Sequence, residues 1–136
     1  MARASLARYR FWFVVDAVVT GVNAVVYLSL HRVLPDVLGS SAQLYIVAGI
    51  VLGIVTVGLV IVGASSQRLR GLPELLVAVN VTWAGGSLFV ALADPFGLTG
   101  WGTTWAVVQA LVVSALAIVQ ARALRRSGTV GAGVPA

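Results

Sequence analysis

The sequence predicts an all-α protein, a membrane-embedded antiparallel four-helix bundle, and three observations carry that prediction. Only 10% of the 136 residues are charged while 60% are hydrophobic, and mean hydropathy is +1.02. A water-facing domain needs about 25% charged residues to cover its surface, so lipid is the solvent here. Four apolar stretches approach the roughly 20 residues that cross about 30 Å of hydrocarbon. Arginines gather beside these stretches with a strong bias to one side.

The spans are expected at Phe11–Leu30, Ala42–Ala64, Glu74–Ala93 and Thr103–Ala121. Between them lie breaker-rich connections: "HRVLPDVLGSS" with Pro35, Asp36 and Gly39, "SSQRLRGLPE" with Gly71 and Pro73, and "ADPFGLTGWG" with Pro95 and three glycines. Short connections make sequential helices antiparallel neighbours. Residues 1–10 form a basic N-terminus and 122–136 a basic tail, whose "SGTVGAGVPA" is expected to be disordered. The first span follows three arginines as a signal peptide would. It is long, carries Asp and Asn, and lacks a small-x-small cleavage site, so it is expected to be a retained helix.

Arginine sets the orientation. Arg3, Arg8, Arg10, Arg68, Arg70, Arg122, Arg125 and Arg126 fall on one side and only Arg32 on the other. The positive-inside rule then places both termini in the cytoplasm of a multi-pass protein of the cell membrane. Tyr9 and Trp12 would mark the inner interface, and Tyr45, Trp101 and Trp105 the outer one.

The same residues exclude several chemistries. Cysteine is absent, which removes disulfides, thiolate metal sites and cysteine nucleophiles. Lysine is absent, so no Schiff base can form. His31 is the only histidine, too few for a zinc or bis-histidine haem site. No nucleophile–base pair or phosphate loop is visible, so neither an enzyme nor a cofactor is expected. The net charge of +5 sits beside apolar spans, which points to anionic lipid headgroups rather than nucleic acid. The bilayer is the partner that composition names; a homo-oligomer stays open, and any small-molecule ligand is unknown.

Candidate site residues lie inside the spans. Asp16, Thr20, Asn23 and Tyr27 are spaced 4, 3 and 4, which puts them on one face of the first helix. Asn80, Trp83 and Ser87 repeat that spacing in the third span, and Trp105, Gln109, Ser114 and Gln120 follow in the fourth. Lipid supplies no hydrogen-bond partner, so these stripes should face protein. Asn23, Asn80 and Gln109 are expected in one interior, with Thr20 and Thr56 near them and Val14, Val25 and Val81 turned to lipid. Asn23 and Gln109 fall at similar depth, which suggests an amide–amide bond between spans one and four. Gly49 and Gly53 match G-x-x-x-G, serving packing within the bundle or a dimer face, the former being preferred. "VN" recurs at Val22–Asn23 and Val79–Asn80, as tandem helical hairpins would repeat it.

Asp16 poses the sharpest choice. An aspartate at a helix centre costs about 2.5–3.5 kcal/mol on the insertion scale, offset by apolar residues at about −0.3 to −0.6 each. It lies about 8 Å in from Phe11, a depth that water or Arg122 reaches. One alternative makes it a protonatable group that couples proton movement to transport. The other makes it a structural carboxylate satisfied by Arg122, Gln120 or water, and its shallow depth favours this one.

The segments "DAVVTGVNAVVYL", "VAVNVTWAGGSLFVAL" and "WAVVQALVVSALAIVQARAL" resemble those of small four-span integral membrane proteins of actinobacteria. The shared motifs are D-x-x-x-T-x-x-N, N-x-x-W and W-x-x-x-Q. This resemblance implies an address and an architecture, with no activity attached. The chain is also similar in architecture to the small multidrug resistance transporters, which have four spans and an acidic residue in the first. Asp16 corresponds to that acid by role only, sits shallower, and lacks the family's motifs around it. Two functions follow as expectations. One is a non-catalytic structural or accessory protein acting through helix and lipid contacts. The other is a proton-coupled carrier of a cationic or amphipathic compound, using Asp16.

Overall fold

The computed structural model describes residues 2–132, and among them the chain is helical without strands. The helices are α1 (Ala2–Ser29), α2 (Leu34–Leu38), α3 (Ala42–Ala64), α4 (Leu72–Ala93) and α5 (Gly100–Ala132). All but α2 are long and apolar enough to cross a bilayer, and the protein is a membrane protein.

Local chemistry sets the ends. The Ser41 hydroxyl accepts from Leu44 N at 3.4 Å, so α3 starts at Ala42 as its hydropathy predicts. Before α4, Gly71 takes a positive φ and Pro73 enters the first turn. Glu74 reaches back to accept from Gly71 N at 2.8 Å. Asp94 ends α4 in the left-handed region and accepts from Leu98 N at 2.7 Å. Thr99 then caps α5, its hydroxyl accepting from Gly102 N at 3.1 Å.

Helix α5 corrects the expected tail. It runs through Ala121 to Ala132, so 127–132 is helical rather than disordered, while 133–136 lie outside the described residues. Tertiary contacts hold the helix as far as Ser127. Ala123 and Leu124 are buried in a cluster with Tyr9, Phe13, Leu59 and Val62. Arg68 donates to the Ser127 hydroxyl at 2.9 Å, and Arg10 donates to Gly63 O at 2.9 Å. These bonds gather the start of α1, the ends of α3 and α5, and the α3–α4 loop into one end, here called the terminal end.

Helices α1 and α3 form the tightest pair. Cβ atoms added at Gly49 and Gly63 would come within 2.7 Å of Leu28 Cγ and Val14 Cγ2, and one at Gly21 within 3.2 Å of Thr56 Cγ2. The contacts step by seven on both helices: Val14, Gly21 and Leu28 against Gly63, Thr56 and Gly49. This is a small-residue heptad seam, which lets two backbones approach closely. It replaces the expected G-x-x-x-G contact, because a methyl added at Gly53 would have no neighbour within 4 Å.

At the opposite end the two long loops join. Thr99 N donates to Leu38 O at 3.0 Å, Ser40 N to Gly97 O at 3.3 Å, and the Thr99 hydroxyl to Val37 O at 2.6 Å. Gly39 is required in this latch. Its φ is +84°, and a Cβ there would sit 2.8 Å from Leu98 Cα.

The aromatic belt is only partly as expected. Trp101 is 74% exposed at the latch end, whereas Tyr9 and Tyr45 are buried and Trp105 turns inward to bond Tyr27. Val25 and Val81 face outward as expected, whereas Val14 is partly exposed and also packs on Gly63 in the α1–α3 seam.

Candidate functional site

Two polar clusters occupy the seam where α1 meets α5, and α4 adds one residue to each. In the first, Asp16 is fully buried. One carboxylate oxygen accepts from the Thr20 hydroxyl at 2.8 Å; the other accepts from Asn80 Nδ2 at 2.6 Å and Gln120 Nε2 at 2.7 Å. Asn80 Nδ2 also donates to Gln120 Oε1 at 3.0 Å. A carboxylate can only accept, and every neighbour here donates to it. Of the side chains expected to satisfy Asp16, Gln120 does so and Arg122 is not in this cluster; among the described residues the ion pair is Arg68–Glu74.

The second cluster centres on Tyr27. Its hydroxyl accepts from Trp105 Nε1 at 2.8 Å and Gln109 Nε2 at 2.7 Å, while Gln109 Oε1 accepts from Trp83 Nε1 at 3.3 Å. Indole nitrogens only donate, so the Trp83 contact fixes the Gln109 amide with its nitrogen toward Tyr27. The Tyr27 oxygen therefore receives two protons and keeps its own, with no protein acceptor for it among the described residues.

One register explains both clusters. Asp16 and Tyr27 are eleven residues apart on α1, as are Gln109 and Gln120 on α5, about three turns each. Antiparallel helices then bring Asp16 to Gln120 and Tyr27 to Gln109 together. The expected Asn23–Gln109 bond does not form, because this register sets Asn23 level with Val113. Asn23 is half-buried and makes no hydrogen bond among the described residues, so it departs from the shared interior that holds Thr20, Asn80 and Gln109. Thr56 is half-buried too, bonded to Leu52 O at 2.7 Å. Asn80 sits level with Asp16, not with Asn23, so the two "VN" pairs lie at different depths. The equal eleven-residue spacing was the available signal for pairing Gln120 with Asp16, and Trp105, one turn from Gln109, follows on the same face of α5.

Beside the Tyr27 cluster, α3 and α4 part. They meet near the terminal end, where Gly58 faces Leu76 and Leu72, and diverge toward the latch. Between them lies a cleft of about 560 Å³. One face of α4 lines it from Leu75 through Ala78, Thr82, Trp83 and Gly86 to Val90, about 22 Å of helix. Leu44, Tyr45, Ala48 and Val51 of α3 form the other wall. Leu38, Phe96 and Leu98 of the latch close the top, and Tyr27, Trp105 and Gln109 form the back. Asp16 does not line this cleft. Comparison with protein families, curated proteins and solved structures returns no match.

Proposed function

We propose that this is a non-catalytic protein of the cell membrane, with both termini in the cytoplasm, whose α3–α4 cleft holds a lipophilic molecule bearing a hydrogen-bond acceptor. The observation that carries this is the unused Tyr27 hydroxyl proton at the back of a predominantly apolar cleft, whose other polar lining residues include Thr82, Ser87 and Gln109. The cleft is capped by the latch and pinched at the other end, so its mouth between α3 and α4 faces the bilayer. An occupant of that chemistry partitions into lipid and reaches the cleft sideways. A carbonyl, ester or quinone oxygen suits the donor; a cation does not. Asp16, enclosed by its own donors, serves as a structural carboxylate in this proposal. The arginine bias supports the orientation.

The test uses the purified full-length chain in detergent with a long-chain methyl ketone and an alkane of equal length. Quenching of tryptophan fluorescence should show tighter binding of the ketone, by about fivefold for one net hydrogen bond of about 1 kcal/mol. Tyr27→Phe removes this donor and frees those of Trp105 and Gln109, so it should change that preference from the unaltered protein's value. Gly86→Leu, which fills the cleft from a position with free space around it, should abolish binding of both. Equal binding of ketone and alkane by the unaltered protein would refute the acceptor, and full binding by Gly86→Leu would refute the cleft.

A further inference from the structure

A second concave site lies at the terminal end of the same α1–α5 seam. Arg8 and Trp12, one turn apart on α1, meet Val119, Arg122, Ala123 and Arg126 of α5 around a cavity of about 150 Å³. The α5 residues recur at offsets of three and four, so one helix face presents them all. Like charges around one cavity repel each other unless an anion lies among them. Among the described residues no acid lines it. Asp16 is enclosed by Thr20, Asn80 and Gln120, Glu74 pairs with Arg68, and Asp36 and Asp94 lie in the latch-end loops. None of the four acids of the chain balances Arg8 and Arg122.

We propose that this cavity binds the phosphate of an anionic phospholipid headgroup. A guanidinium offers a planar fork of donors that matches phosphate oxygens, and basic pockets between membrane helices are suited to such headgroups. The cavity has the liquid volume of about five waters, enough for a phosphate group and too little for an acyl chain. The acyl chains have their own surface. Trp12 is half-buried at the cavity, and the ring of Phe11, centred 5.1 Å from that of Trp12, is exposed toward lipid. Free phosphate shares the headgroup's chemistry but makes no use of that apolar flank. The site stands apart from the α3–α4 cleft, and neither proposal depends on the other.

The test follows thermal unfolding of the full chain in neutral detergent and counts bound lipid by native mass spectrometry. Phosphatidylglycerol, phosphatidylcholine and inorganic phosphate are added in separate arms at equal concentration. Phosphatidylglycerol should raise the unfolding midpoint and remain bound, and the other two should do neither. Arg8→Gln and Arg122→Gln should each weaken phosphatidylglycerol binding about fivefold, the effect of one arginine near an anionic surface. Neither side chain is fully buried, so the lipid-free midpoint should not move, which separates binding from folding. Arg3→Gln, outside the cavity, should bind as the unaltered protein does. An equal loss in Arg3→Gln would reduce the effect to diffuse surface charge and overturn the site. Equal stabilisation by inorganic phosphate or by phosphatidylcholine would overturn the anionic lipid.

Discussion

Asp16 receives three hydrogen bonds and gives none, and its neighbours are chosen to match. Asp16→Asn removes the charge that all three bonds are made to, and its amide nitrogen finds an acceptor only if the Thr20 hydroxyl turns round. It should lower stability by about 1.5–3 kcal/mol, read as a lower unfolding midpoint in detergent, while leaving binding in the α3–α4 cleft intact. The two asparagines separate in the same assay. Asn80→Leu removes two buried bonds and should destabilise by about 1–3 kcal/mol, whereas Asn23→Leu, which loses none, should be neutral or stabilising. At this scale the sequence was half legible. Spacing put Asp16, Thr20 and Tyr27 on one face, but spacing within a helix cannot choose a partner on another. That choice depends on interhelical register, which turned Gln120 rather than Arg122 toward Asp16 and gave Asn23 a valine for a neighbour.

The long helices were legible because hydropathy reports the solvent directly, and α3 begins and ends where expected. Their packing was less so. A search for G-x-x-x-G looks for contacts four residues apart, while the α1–α3 seam repeats every seven. Gly49→Ala and Gly63→Ala should each destabilise by about 1–3 kcal/mol, because the added methyl meets Leu28 or Val14. Gly53→Ala should be tolerated in the same assay. The length of α5 also escaped hydropathy, which sees lipid but not Arg68 reaching Ser127 or Leu124 entering the core.

For the whole molecule, the latch, the polar seam and the apolar cluster at the terminal end join the two hairpins. Thr99→Val removes both the cap on α5 and the bond to Val37 O, and should lower the unfolding midpoint by the equivalent of about 1–2 kcal/mol. A C-terminal tag should be reachable from the cytoplasmic side alone, and a tag reachable only from outside would reverse the orientation. The Asp16–Gln120 pairing also bears on biogenesis. The α1–α3 hairpin lies within the first half of the chain, and its glycine seam can close while the ribosome is still translating. Asp16 must wait, since Gln120 is among the last intramembrane residues made. Until α4 and α5 enter the bilayer, the nascent hairpin carries a carboxylate held by Thr20 alone, a mark by which quality control could tell an unfinished chain from a finished one.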